Sequence, residues 1–194
     1  MTMATKRLLI IGTGGHGRSV AEAVLLRGDY VLAGFLDDAA VPAQRLWDWP
    51  VWGATAMLSA CRDRIDAVFV AIGNNVLREA LHQRVQAQGL PLATVIHPAA
   101  VVSTRASVGQ GSAIMAGAVV GTGAQLGEGV IVNCGAVIDH DCIVEPFGHL
   151  GVKAGMAGGS VLGRRAWMPV GAAIALGAKV AEDRVLQPGE VVRA

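Results

Sequence analysis

From Val102 to Val192 every sixth residue is aliphatic or Met, without a break: Val102, Val108, Ile114, Val120, Leu126, Val132, Ile138, Val144, Leu150, Met156, Leu162, Met168, Ile174, Val180, Leu186 and Val192. Four residues after each, the side chain is usually small, as at Ala106, Ser112, Ala118, Ala124, Ala136, Cys142, Gly148, Ala154, Ser160, Ala166, Ala172 and Ala178. Val130 interrupts that second run, and Arg184 and Glu190 end it. An amphipathic helix would repeat at three and four residues and a half-buried strand at two, so neither produces this pattern. Hexads fit a coil of triangular cross-section, with one large apolar side chain pointing inward on each side and a small residue at each corner. That is the sequence signature of a parallel β-helix, here of about five coils. Residues eighteen apart then stack at a strand spacing of about 4.8 Å.

The first half of the chain follows a different rhythm. Leu8-Leu9-Ile10-Ile11 reads as a short buried strand, Gly12-Thr13-Gly14-Gly15-His16-Gly17 as a turn, and Ser19 to Arg27 as a helix. A strand over Tyr30 to Leu36 follows, ending in Asp37-Asp38. Another buried strand covers Asp66 to Ile72 and runs into Gly73-Asn74-Asn75. A helix from about Val76 to Gln88 stops at Gly89, and Leu90 to Ile96 forms one more strand before His97-Pro98. Strands alternating with helices predict a small Rossmann-like parallel sheet over residues 1–97, followed by the β-helix over 98–194.

The turn at Gly12 satisfies G-x-G-x-x-G, with an acid about twenty residues on, the layout that cradles a diphosphate at a helix N-terminus. A tight βα turn needs glycine even when nothing binds, so the motif alone is a weak indicator. The Gly73 turn lies at the same C-terminal sheet edge, where ligands of open α/β sheets bind. Trp47, Trp49 and Trp52, around Pro50 and Val51, read as local packing.

Composition narrows the classes. Hydrophobic residues make up 53% and charged ones 16%, which excludes a disordered chain. The net charge is +1, and residues 98–194 balance seven Lys/Arg against seven Asp/Glu, so no basic field exists for nucleic acid. Cys61, Cys134 and Cys142 form neither a metal pair nor an even framework, which suits a reducing compartment. With no signal peptide and no run approaching about 18 apolar residues, a cytoplasmic protein without a membrane span is expected.

Two histidines fall outside the inward register of the coil. Stacking arithmetic puts His140 between Thr122 and Gly158, and His149 between Ile131 and Trp167. His140 therefore faces an open slot where glycine carries no side chain, and Asp141 follows it directly. An imidazole titrates near working pH and a carboxylate can fix its tautomer, which are the requirements of a general base. Decoration of an outer surface is the bland alternative for both histidines. Zinc catalysis needs about three protein ligands, and the coil offers two histidines on different edges, so no metal is expected.

These stretches give the chain a resemblance to a known family over nearly its whole length. Ile11 to Gly17, Phe35-Leu36-Asp37-Asp38, Ala71 to Asn75, Ile96-His97-Pro98 and the run from Asn133 to Gly158 resemble the sugar acyltransferases that join a nucleotide-sugar-binding α/β domain to a left-handed β-helix. That family includes sialic-acid O-acetyltransferases, perosamine N-acetyltransferases and N-acetyltransferases of UDP-4-amino-sugars. The resemblance implies a homotrimer binding acetyl-coenzyme A between neighbouring β-helices. It implies His140 as general base oriented by Asp141, with Asn133 and His149 lining the acetyl group and sugar and a backbone amide near Gly158 facing the thioester oxygen. Gly12, Gly14, Gly15 and His16 would hold the diphosphate and sugar, Asp37 and Asp38 would meet the nucleoside, and Gly73, Asn74 and Asn75 would close over it. The chain departs from the family in ending at Glu190 to Ala194 without a Gly-x-Pro-Ala-Lys/Arg tail, and in carrying Glu145-Pro146 at a turn that is usually Ile-Gly.

The expected activity is acetyl transfer from acetyl-coenzyme A to the amine of a UDP- or GDP-linked amino-sugar. The alternatives are O-acetylation of a sugar hydroxyl, an inactive trimeric nucleotide-sugar-binding scaffold and, from the glycine fingerprint alone, an NAD-dependent dehydrogenase.

Overall fold

The computed structural model describes residues 6–41 and 43–194. The chain divides into two compact units, Met1–Val95 and Ile96–Ala194.

In the first unit, β1 (Lys6–Ile11) is followed by α1 (Gly15–Arg27) and β2 (Tyr30–Leu36). A short hairpin of β3 (Arg45–Leu46) and β4 (Trp49–Pro50), a 3₁₀ helix (Thr55–Arg64), β5 (Ala67–Val70) and α2 (Asn75–Ala87) complete it. The sheet is parallel, in the order β2-β1-β5. Leu8 to Ile11 and the whole of β5 are buried, because a parallel sheet covered on both faces demands continuous apolar strands. α1 buries Val20, Ala21, Ala23 and Val24, and it stops at Gly28, whose φ of 75° and N–H to the Val24 carbonyl make a left-handed C-terminal cap.

Several expectations change here. α1 begins at Gly15, four residues before Ser19, so His16 and Gly17 belong to its first turn. The strand expected over Leu90–Ile96 shrinks to a single bridge of Leu92 with Val68, followed by Val95–Ile96. Pro91 has no N–H to extend the ladder beside β5. The 3₁₀ helix was not anticipated, its apolar residues having no helical period. Of the tryptophans, Trp52 packs locally, its ring against Gly34 and 3.9 Å below the Arg64 guanidinium, whereas Trp47 turns the hairpin with φ 51° and is exposed.

The second unit is a left-handed parallel β-helix made of two-residue strands on three faces. The first face stacks Val101–Val102, Val119–Val120, Val137–Ile138, Gly155–Met156, Ala173–Ile174 and Val191–Val192. The second runs from Ser107–Val108 through Ile143–Val144 to Lys179–Val180. The third runs from Val95–Ile96 through Ile131–Val132 and His149–Leu150 to Trp167–Met168. Partners are eighteen residues apart, as Val120 with Ile138 and Ile138 with Met156. The hexad residues from Ile114 to Leu186 form one buried column with the small corner residues between them. Buried Ser112 is satisfied, accepting from the Val130 N–H and donating to the Gly127 carbonyl. From Gly111 onward each corner holds a residue with positive φ. Glycine fills most of them, and Asp141, Phe147, Lys153, Arg165 and Asp183 fill the rest. At Glu145-Pro146 the corner keeps its course, with the Phe147 N–H donating to the Glu128 carbonyl and the Glu145 carboxylate accepting from the Arg164 N–H.

Candidate active site

His140 sits at the corner between the first and second faces of the coil, immediately before a left-handed residue, Asp141 (φ 58°). Aspartate tolerates this conformation better than most residues, yet glycine would be less strained. The coil keeps a carboxylate where its neighbours keep glycine, and that carboxylate has a use: Asp141 Oδ2 lies 2.9 Å from His140 Nδ1. The bond fixes the tautomer with the proton on Nδ1 and leaves Nε2 as an acceptor. The imidazole pKa is raised above its ordinary value, first by this hydrogen bond and then by the charge of Asp139.

Two glycines make room for the pair. A Cβ on Gly158 would lie 2.5 Å from both Cε1 and Nε2 of His140, so the slot expected to stand open beside the ring is filled by the ring itself, which glycine there permits. One coil on the other side, a Cβ on Gly123 would lie 2.4 Å from Asp141 Oδ1. The sequence reading found Gly158 and missed Gly123, although the same eighteen-residue arithmetic points to it.

The other residues of the coil site stand apart from His140 within one chain. Asn133 lies at the corner between the third and first faces, its Oδ1 accepting from the Cys134 N–H at 2.8 Å. His149 lies on the third face, paired with Ile131 and Trp167 as the stacking arithmetic requires. It is not a surface decoration: it is 8% exposed and stacks on Trp167 at 5.5 Å between ring centroids. His140 is the exposed one, with 57% of its side chain accessible.

In the first unit the glycines divide. Gly12 has φ 109°, and a Cβ on Gly17 would lie 2.1 Å from the Gly12 oxygen, so both are demanded by the βα turn itself. Gly14 and Gly15 meet nothing within 4 Å and leave the start of α1 open. His16 packs edge-on to Phe69, and its buried Nε2 has no hydrogen-bond partner among the described residues. Burial, then the nearby charge of Arg78, lowers its pKa to about 4, so it is a neutral imidazole.

Asp37 is held by its own chain. It accepts the Thr13 N–H at 2.8 Å, the Thr13 hydroxyl at 2.6 Å and the Ala39 N–H at 2.9 Å. Burial works against its ionisation, but these hydrogen bonds outweigh it and the pKa is lowered. Asp38 accepts the Thr55 N–H through Oδ1. Both acids line a cavity of about 130 Å³ with Ile11, Gly12, Thr55, Ile72, Leu77 and Leu81. Asn74 caps α2, accepting the Leu77 N–H, and Asn75 opens that helix. The Gly73 carbonyl accepts from Arg78, which the sequence reading passed over as an ordinary helix residue. Arg78 is 1% exposed, its Nη1 donates to the carbonyls of Ile72 and Gly73, and burial lowers its pKa to about 9.

Among the described residues no group of three or more His, Cys, Asp or Glu could hold a metal ion, and no helix is long and apolar enough to cross a membrane.

Comparison with solved structures places this arrangement. GDP-perosamine N-acetyl transferase from Caulobacter crescentus, solved as a His-to-Ala mutant in complex with CoA and GDP-perosamine, is 36% identical. It superposes with a TM-score of 0.92 over 99% of this chain and 90% of its own. The chain belongs to the sugar acyltransferase family with a left-handed β-helix. The acetyltransferase domain of PglB from Neisseria gonorrhoeae, in complex with acetyl coenzyme A, is 32% identical with a TM-score of 0.89, over 98% of this chain and 94% of its own. Residues 7–85 match the family model of the PglD N-terminal domain. Bacillus subtilis UDP-N-acetylbacillosamine N-acetyltransferase is 36% identical over 112 residues, 57% of this chain, and the match spans about half (52%) of that relative's length.

Proposed function

We propose that the protein moves the acetyl group of acetyl-coenzyme A onto the amine of a nucleotide-activated amino-sugar, with His140 as general base. The observation that carries this reading is the exposed His140–Asp141 pair seated on Gly158. An exposed imidazole seated on Gly158, with one nitrogen tied to a carboxylate and the other free to accept, is poised to take a proton from a nucleophile placed against it. In this reading a backbone amide near Gly158 meets the thioester oxygen, and such donors typically contribute about 2.7–4 kcal/mol. The family relatives, whose names specify nucleotide-linked amino-sugars and coenzyme A, support the same substrates for this chain.

The nucleotide-sugar binds the first unit. Its diphosphate meets the N–H groups at the start of α1 beside Gly14, Gly15 and His16. Its nucleoside meets the cavity at Asp37 and Asp38, with Gly73, Asn74 and Asn75 beside it. Asn133 and His149 line the acetyl group and sugar of a site completed by a neighbouring copy, since one coil holds them on other edges than His140. A homotrimer is supported by the outer side of the first face: Val101, Val119, Val137, Gly155, Ala173 and Val191 carry no polar group, whereas a strand facing water alternates apolar with polar.

The test is free-thiol release from acetyl-coenzyme A in the presence of UDP- and GDP-linked 4-amino-4,6-dideoxy sugars. The expected result is turnover with one of them and a fall of about 10²–10⁴-fold in kcat for His140→Ala. Turnover that persists unchanged in His140→Ala removes His140 as the base. Nucleotide-sugar binding without coenzyme A binding reduces the protein to a scaffold.

A further inference from the structure

His140 is flanked by two carboxylates, and only one of them orients its ring. Asp141 takes Nδ1. Asp139, on the other side, uses Oδ1 to accept the His140 backbone N–H at 2.8 Å. Its second oxygen makes no hydrogen bond among the described residues and lies 4.0 Å from His140 Nε2, the nitrogen that would act as base. Asp139 also lines a groove of about 400 Å³ along the first face, floored by the small residues Gly155, Ala157, Ala173 and Ala175. A reacting group that comes to the exposed edge of the ring therefore meets two acceptors, Nε2 and Asp139 Oδ2.

Two acceptors 4.0 Å apart set a geometric condition. An atom at hydrogen-bond distance, about 2.8–2.9 Å from each, sees them at an angle of about 90°. Only a group with two or more hydrogens on one atom donates to both. An amine or ammonium nitrogen has them, with hydrogens about 110° apart, close enough for both bonds to stay near linear. A hydroxyl has one hydrogen. If it donates to Nε2, its lone pairs face the carboxylate, and the repulsion has no compensation.

We infer that Asp139 is a substrate-contacting residue that selects a nitrogen nucleophile over an oxygen one. The inference rests on the acetyl-transfer reading above and deepens it by fixing the class of acceptor. A sugar amine near neutral pH carries an added proton to the extent that α-amino groups do, with pKa about 7.7–8.0. Asp139 attracts that cation to the site. One proton leaves to water, and Asp139 Oδ2 then holds one N–H of the neutral amine while Nε2 faces another. As the C–N bond forms at the thioester carbonyl, Nε2 takes the second proton. The C–S bond breaks and the thiolate leaves, recovering that proton from the imidazolium as free thiol. The products are one amide, one thiol and one proton released to water.

The test compares matched acceptors: GDP- and UDP-linked 4-amino-4,6-dideoxyhexoses against their 4-hydroxy counterparts, with wild type and Asp139→Asn. Asparagine keeps an oxygen for the His140 N–H, and thermal denaturation confirms that the coil is intact. Wild type is expected to favour the amine. In D139N the amine-to-hydroxyl ratio of kcat/KM should fall about 10- to 100-fold, the usual loss when a hydrogen bond to a charged group goes. A ratio that stays constant, including a parallel loss on both acceptors, makes Asp139 a backbone cap and overturns the inference while leaving acetyl transfer standing. A wild type that prefers the hydroxyl overturns it too. Failure of every acceptor to release thiol overturns the acetyl-transfer reading, and this one with it.

Discussion

In the α/β unit, a Cβ on Gly17 would lie 2.1 Å from the backbone oxygen of Gly12; in the coil, a Cβ on Gly158 would lie 2.5 Å from the imidazole of His140. A side chain at either position would meet an obstacle, but not of the same kind. At Gly17 the obstacle is backbone, which cannot move without displacing the start of α1 from β1. At Gly158 the obstacle is the tip of a side chain, which can swing away into solvent. The first glycine serves the fold and the second serves the chemistry. A glycine-rich motif therefore points to a ligand only at the members the fold does not require, which in the first unit are Gly14 and Gly15.

The largest separation should come from Gly158→Ala. The added methyl displaces the His140 ring, and a misplacement of about 1 Å at a reacting group can cost about 10²-fold in rate. The melting temperature should hold, because the ring is exposed and no backbone contact is broken. A variant that keeps full activity, or that loses activity by unfolding, would erase the distinction between the two glycines.

Gly17→Ala should show the reverse. Overpacking against fixed atoms costs typically about 1–3 kcal/mol, read as a lower denaturation midpoint of the whole chain. Gly14→Ala, with open space around it, should stay within about 0.5 kcal/mol of wild type while nucleotide-sugar affinity falls. Equal stability effects at Gly14 and Gly17 would mean that the fingerprint is structural throughout.

The coil was legible from its sequence because it states its register many times over. One inward residue in six, repeated from Val102 to Val192, fixes every vertical neighbour, so Ile131, His149 and Trp167 stack as the count requires. The repetition is enforced physically, since each inward side chain packs only on the coils above and below it. The α/β unit gives no such redundancy. Pro91 cut short an expected strand by lacking a donor, and the 3₁₀ helix from Thr55 to Arg64 had no apolar period to announce it. Nothing in the helical pattern from Val76 to Gln88 singles out Arg78, on which the carbonyls of Ile72 and Gly73 converge through the loop's course and not through residue type. Asp139 was missed for a different reason: one acid beside His140 already explained the motif, and only the distance from Nε2 gives the second a role.

The smallest expected effect tests the electrostatics of the coil site without moving its atoms. The His140 pKa is raised above the ordinary 6.5, with the Asp141 hydrogen bond as the first cause and the Asp139 charge as the second. A general base works in its neutral form, so kcat/KM should rise with pH along a limb whose midpoint lies above that value. Asp141→Asn replaces the charged acceptor by a neutral one of the same shape and removes the main support for the imidazolium. The limb should then move to lower pH while the plateau falls, because a less basic and less firmly oriented imidazole pulls the proton more weakly. Asp139→Asn should move the limb in the same direction by less. The corresponding change in the first unit, Asp37→Asn, lies in a different compact unit and should leave the limb where it is. A midpoint that ignores Asp141 would mean that the titrating group is not His140, and the special role of Gly158 beneath its ring would go with it.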